Sequence, residues 1–451
     1  MQASTPQRRS RLILGATFTV TAAFALAACA GTAGAPSASG PASASAPAGP
    51  VTIKVWAQEG QAGEVQAAKD EVAAFNAANP NIKAELTLVP QATYGQTLAS
   101  TAVDALPDVY EFDGETAAAL NYAKKLAPLD GLVPDAVFKG ELSSVVAEGT
   151  IDGKNYSVSQ YDSGLALYGN KAMLAAAGVT DIPTTIEAAW TADEFTAVLD
   201  KLAAKTKGGK ALDLKEQYAG TWPGYAFTPV VNSAGQPLVK AGKAVGALND
   251  PAVAAALTKV ASWRKYVDPN ADDKAFTGKR VGLAWVGHWA YPDNKKALGN
   301  DLVVIPLPDF GNGTKSGQGS HSWGLGAASA NKEAGGKFLE FIMQDKWVDQ
   351  ITQANGAVPA NTSVLNASKL YGPGGDLYLY GQQLAKTCGS ADPTPACVTV
   401  PRTISPAWPV INKQFSDAFW AVYGGADAQK ELDKAAKAID QDAADNNNYQ
   451  P

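Results

Sequence analysis

Apolar and polar residues alternate at 51–56 and again at 82–89, where Ile82, Ala84, Leu86 and Leu88 share one side. A period of two is that of a half-buried strand. Between them, residues 63–78 carry Val65, Ala68, Val72 and Phe75 on one helical face and stop at Asn79-Pro80, a pair that ends helices. A helix at 92–105, a short strand at 107–112 and a helix at 116–126 follow. Strand and helix in alternation predict an α/β domain with a largely parallel sheet.

Further along, Ile151-Asp152-Gly153-Lys154 reads as a hairpin with an Asp-Gly turn. It leads to a strand at 165–168 and a helix at 171–177 stopped by Gly178. Thr191 and Glu194 have capping-box spacing at the start of a helix over 190–204. Residues 218–232, rich in Gly, Pro and aromatics, read as a loop, and 250–267 as an amphipathic helix carrying Val253, Leu257, Val260 and Trp263. The apolar run 281–286 is long enough for a buried strand and too short for a helix. It ends at Gly287-His288-Trp289. Ligands of open α/β sheets sit beyond the carboxyl ends of strands, so Trp289 is placed to meet one, whereas Trp285 on the strand is core. Strands at 302–307 and 323–328 flank a Gly-rich connection at 309–320, and helices are predicted at 332–343, 346–355, 411–422 and 428–444.

A chain of 451 residues has room for two or three domains. Its charge of −6 and pI of about 5.2 argue against nucleic-acid partners and against a basic membrane-surface patch. The first residues change the picture most. Arg8, Arg9 and Arg11 precede an apolar stretch at 12–26, too short for a comfortable membrane span. Leu26-Ala27-Ala28-Cys29 then resembles the lipobox of bacterial lipoproteins, which implies a signal peptide over 1–28 and a diacylated Cys29 as mature N-terminus. Residues 30–50 contain only Ala, Gly, Ser, Thr and Pro and cannot bury a core, so 29–50 is expected to be a flexible tether. Export allows a disulfide between Cys388 and Cys397. Chain entropy gives so short a loop roughly 2.7 kcal/mol. With 2 His and 3 Met, no metal site or cofactor is expected.

The joint order of several stretches resembles one family, the extracellular solute-binding proteins of ATP-driven sugar importers typified by maltose-binding protein. The stretches are Phe75-Asn76-Ala77-Ala78-Asn79-Pro80-Asn81-Ile82, Leu106-Pro107-Asp108-Val109, Ile151-Asp152-Gly153-Lys154, Tyr168-Gly169-Asn170-Lys171 and Phe276-Thr277-Gly278-Lys279. Gly287-His288-Trp289, Pro306-Leu307-Pro308, Trp323-Gly324-Leu325-Gly326 and Ala357-Val358-Pro359-Ala360 complete the set. His288 stands where the family often has Pro, and Gly169 interrupts its Tyr-Asn-Lys. The resemblance implies an α/β, two-lobed periplasmic-binding-protein-like fold of type II, with ligand in the interlobe cleft. It implies crossings near 160–163, 320–323 and 361–365. One lobe would comprise 51–162 and 323–362, the other 163–322 and 363–451. It further implies a monomer outside the cell that delivers sugar to the permease subunits of an ABC importer and is not an enzyme.

Sugars present hydroxyls and flat C–H patches, which call for carboxylates, amides and Arg beside aromatic faces. From the first lobe the candidates are Gln58, Glu59, Asp113, Glu115, Gln160, Tyr161 and Asp162. From the second they are Trp222, Tyr225, Asn232, His288, Trp289, His321, Trp323, Arg402 and Trp408. Trp222, Trp289 and Trp408 are preferred as platforms because each stands beside Gly or Pro, or just after Gly287-His288; Trp263, Trp285, Trp347 and Trp420 read as core. Two alternatives stay open, a secreted glycan-processing hydrolase and a lipoprotein that binds a non-sugar solute. A glycosidase's paired acids stand about 5 Å or 6.5–9.5 Å apart in space but have no fixed sequence spacing.

Overall fold

Val51–Glu59 forms a strand whose alternate residues Ile53, Val55 and Ala57 are buried, as its period predicts. The computed structural model describes residues 50–270, 272–389 and 391–450. The signal peptide, Cys29 and all but the last residue of the tether lie outside the described residues. In the helix Ala62–Ala78, the Glu64 carboxylate accepts the Gln61 N–H at 2.8 Å and so closes the first turn. The helix stops at Asn79, whose side chain donates to the Phe75 carbonyl.

The first sheet has the order Ile82–Pro90, Val51–Glu59, Val109–Asp113, His321–Gly326, Leu126–Ala127, and Val158–Ser159 also pairs with His321–Gly326. The first three strands are parallel, joined through helices, whereas His321–Gly326 returns from far along the chain and runs antiparallel. Its core gathers Ile53, Val55, Phe75, Val109, Trp323, Leu325, Phe338 and Leu339.

The second sheet has the order Leu212–Asp213, Leu283–Gly287, Leu165–Asn170, Leu302–Ile305 and is mixed, as is the first, for which the alternation over 51–126 predicts a largely parallel arrangement. Leu165–Asn170 lies between two strands that both run against it. The chain enters this strand straight from the short strand Tyr161–Asp162, and its neighbours are made parallel to each other by the helix Tyr291–Leu298 between them. Both faces of this sheet are covered. Leu165, Leu167, Leu283 and Trp285 point into a core shared with the helices Pro251–Ser262, Trp408–Tyr423 and Ala428–Asp445. Ala166, Tyr168, Ala284 and Val286 point into a second one with Tyr291, Tyr371 and Tyr380. Burial on two faces is why these strands read as continuous apolar runs. Separate cores under separate sheets make two lobes.

Three segments differ from expectation. Residues 218–232 hold two short helices, Trp222–Ala226 and Thr228–Ser233, because Pro223 and Pro229 fall in their first turns, where a fixed φ starts a helix. Pro409 does the same for Trp408–Tyr423, which begins three residues earlier than its apolar pattern. The helix expected over 116–126 is short, Ala117–Tyr122, and Leu126–Ala127 joins the sheet. Cys388 and Cys397 are disulfide-bonded.

Candidate functional site

Parallel strands release their carboxyl ends at one edge of a sheet, and Val51–Glu59 and Val109–Asp113 do so together. The returning strand brings His321 opposite Asp113. Glu111 accepts the Gln58 N–H at 2.9 Å and faces His321 Nδ1 at 3.2 Å, while Asp113 lies 3.7 Å from Nε2. The Gln58 side chain lies against the same ring. Burial alone would lower the His321 pKa, but the Glu111 hydrogen bond and the charges of Asp113 and Glu111 raise it to about 9. This side of the cleft therefore carries an imidazolium among carboxylates at neutral pH. The Tyr161 ring lies 5.5 Å from it.

The facing side is aromatic. Trp289 lies in the 3-10 turn His288–Ala290, directly after the strand Leu283–Gly287, and is partly buried. Its ring centroid is 6.1 Å from Trp222 and 6.0 Å from Tyr225. A Cβ on Gly287 would clash with the edge of the Trp289 ring, so this glycine lets the ring fold back over the strand end. Arg402 spans the gap between the two sides. Its guanidinium lies 4.9 Å over the Tyr225 ring and pairs with the Glu115 carboxylate of the first lobe. Gly319 leaves the space that the guanidinium fills.

Below this pair lies a polar floor. Glu148 is fully buried and accepts from the Ser320 hydroxyl at 2.7 Å and the Ser320 N–H at 3.2 Å. Asp162 accepts from the Ser144 hydroxyl at 2.8 Å and the Ser163 N–H at 2.7 Å. Burial holds Glu115, Glu148 and Asp162 above the ordinary carboxylate range, opposed only in part by Arg402 and by their hydrogen bonds. Four buried polar atoms here have no partner: Glu115 Oε2, Glu148 Oε1, Tyr225 Oη and Arg402 Nε.

Gln58, Asp113, Trp222, Tyr225, Trp289 and Arg402 are brought together in this way. Other expected site residues need correction. Trp408 is 2% exposed and opens a helix that packs into the second-lobe core, so it is not a platform. Trp323 is 5% exposed and packs on Phe338 in the first-lobe core. His288 is 2% exposed with both ring nitrogens engaged, Nε2 with the Ser163 hydroxyl at 2.9 Å and Nδ1 with the Asn355 carbonyl at 3.2 Å. Burial drops its pKa to about 3, so it is a neutral brace between the lobes. Asp162 is floor rather than surface, and Glu59 is exposed at the end of its strand. Gln160 bonds Glu71, and Asn232 bonds the Gln236 carbonyl.

Sequence reasoning missed Glu111 and Glu148. A carboxylate inside the apolar strand Val109–Asp113 was a usable signal for the first. Glu148, on a short helix of ordinary polarity, gave none. Among the described residues no cluster of His, Cys, Asp and Glu could hold a metal, and no helix is long and apolar enough to cross a membrane.

The family profile of bacterial extracellular solute-binding proteins matches residues 71–371. The diacetylchitobiose-binding protein DasA of Streptomyces coelicolor is 27% identical over 355 residues, covering 72% of this chain and 75% of its own. The cyclic α-maltosyl-1,6-maltose-binding protein of Arthrobacter globiformis superposes with a TM-score of 0.68 at 23% identity, covering 87% of this chain and 99% of its own. Lmo0181 of Listeria monocytogenes, solved with cycloalternan, gives 0.73 at 17% identity, covering 88% and 99%. These likenesses show the fold to be the two-lobed one of maltose-binding-protein-like periplasmic binding proteins.

Proposed function

From the premise that the chain belongs to the bacterial extracellular solute-binding family, we propose that it binds a carbohydrate of two or more units in its interlobe cleft and delivers it to the permease subunits of an ABC importer. The observation that carries this reading is the facing of two chemically different walls. Trp289, Tyr225 and Trp222 offer apolar faces to sugar C–H patches, and Gln58, Glu111, Asp113, Glu115 and His321 offer hydrogen bonds to hydroxyls. The diacetylchitobiose and maltosyl-maltose ligands named for the relatives are of the same class.

Members of this family are binding proteins that work outside the cytoplasm. To that we add a diacylated Cys29, two chains being what stable anchoring takes. The lobes divide as 51–162 with 323–362 and 163–322 with 363–451, and the protein acts as a monomer. Calorimetry and melting curves across mono-, di- and oligosaccharides test the reading. A sugar at a hundred times its Kd adds about 2.7 kcal/mol of stability and should emerge chemically unchanged. A panel with no melting shift, or a cleaved product, would overturn it. Membrane partitioning of Cys29→Ser protein equal to that of wild type would sink the anchor.

A further inference from the structure

We infer that the cleft selects a sugar bearing a protonated amine, held by Glu115, Glu148 and Tyr225 beneath the Arg402 bridge. This rests on the carbohydrate reading above and narrows it. The backbone brings the anchoring groups to one spot: the Gly114 N–H donates to the Ser320 carbonyl at 2.9 Å, and a Cβ on Gly114 would meet Glu148 Oε2 and Ser320 Oγ at 2.5 Å. Glu148 therefore lies against the residue preceding Glu115, and Arg402 against Gly319, the residue preceding Ser320.

The charge balance at this spot is lopsided. Glu111, Asp113, Glu115, Glu148 and Asp162 supply five carboxylates, and the cations facing them are Arg402 and His321. Arg402 is committed to one oxygen of Glu115, and His321 to Glu111 and Asp113. Glu148 is left with hydroxyl and amide donors only. The second oxygen of Glu115, the first of Glu148 and the Tyr225 hydroxyl are buried without a partner. An ammonium brings three donors, no acceptor and one positive charge, which matches the three unpartnered oxygens, while the unpartnered Arg402 Nε is a donor left for an oxygen of the same sugar. A sugar hydroxyl brings one donor, two lone pairs and no charge. Burial disfavours the charged forms of Glu115, Glu148 and Asp162, so a cation entering beside them should displace protons.

Three β-1,4-linked disaccharides that differ only at C2 separate the possibilities. They are the glucosamine disaccharide, its di-N-acetyl form and cellobiose, with putrescine as a non-sugar amine. Calorimetry at pH 6.5 in two buffers of different ionisation enthalpy reads affinity and proton release together. The glucosamine disaccharide should bind about tenfold tighter than the other two, a charge-assisted hydrogen bond being about twice as strong as a neutral one. It should also release protons, and the neutral sugars should not. Glu148→Gln should shrink the amine preference. Equal or tighter binding of the acetylated or hydroxyl sugar, or a preference that Glu148→Gln leaves untouched, overturns the amine assignment while leaving sugar binding intact. Binding of putrescine with no sugar bound overturns both. If Glu148→Gln does not fold, absence of proton release from wild-type protein decides against the proposal.

Discussion

The two walls of the cleft are built from different chemistry and held by different means. The first-lobe wall is charged, and strand register fixes it: Glu111 and Asp113 sit on one strand, and His321, at the expected crossing between the lobes, on the strand paired with it. The second-lobe wall is aromatic and stands on a 3-10 turn and a proline-started short helix that carry Trp289, Trp222 and Tyr225. Even the two histidines follow the division. His321, among carboxylates, is a cation to about pH 9, and His288, buried between a serine and a carbonyl, stays neutral down to about pH 3. The lesson is that neither wall suffices. Hydrogen-bonding groups orient a sugar, aromatic faces remove its apolar patches from water, and a ligand favours closure only by touching both.

The largest effect tests where the aromatic wall stops. Trp408→Ala removes a fully packed core ring and should cost about 3–5 kcal/mol of stability, seen as an early denaturant midpoint. If stability holds and affinity collapses, Trp408 belongs to the wall after all. Next comes the bridge. Arg402→Gln leaves the Glu115 carboxylate buried without its cation, a loss of about 2–5 kcal/mol for such pairs. Small-angle scattering should show the variant more open and calorimetry a weaker ligand; unchanged compaction and affinity would mean that the ion pair joins nothing of consequence.

Trp289→Ala should weaken sugar binding by about 2–4 kcal/mol, roughly 30- to 1000-fold, with little change in melting temperature. Trp285→Ala, one strand turn deeper and fully buried, is its mirror and should lower melting temperature more than affinity. Reversal of that pattern would mean that the two rings have been assigned backwards.

The smallest effect is on pH dependence. The His321 pKa is raised from 6.5 to about 9, so the stability it contributes is complete below pH 6.5 and lost as pH climbs through 9. With the side chain 22% exposed, about 3 kcal/mol is a ceiling. Glu71 and Glu141, raised by burial from 4.5 to about 8, add to the same downward slope from pH 4.5 upward. His321→Gln should flatten the slope between pH 6.5 and 9 and leave the rest. An unaltered slope in melting temperature against pH would show that the charged wall does not hold its histidine as a cation.

How far the sequence reaches can be seen on a single segment. The short apolar run 281–286, ended by Gly287, assigned Trp285 to a buried strand and Trp289 to its end, because run length and glycine punctuation are local properties of the sequence. The same local reasoning misplaced Trp408. Pro409 beside Trp408 reads as a loop signal, and a proline in a first helical turn looks identical in sequence to one in a loop. Trp323 was misjudged because nothing in its neighbours tells which face of its strand meets a core.

Local physics thus determined most strands and helices and the spacing at which Cys388 and Cys397 pair. It also located Gln58, Asp113 and Trp289 at strand ends. Tertiary structure alone decided that His321 returns to stand beside Glu111 and Asp113, and that Arg402 reaches Glu115 across 287 residues of chain. It alone decided that His288 is consumed as a brace and that Glu148 forms a floor. The reason is physical. An element is written by interactions within a few residues, whereas a partner is set by which segments cross between the lobes, and the cost of closing a long loop varies too weakly with its length to single out one partner.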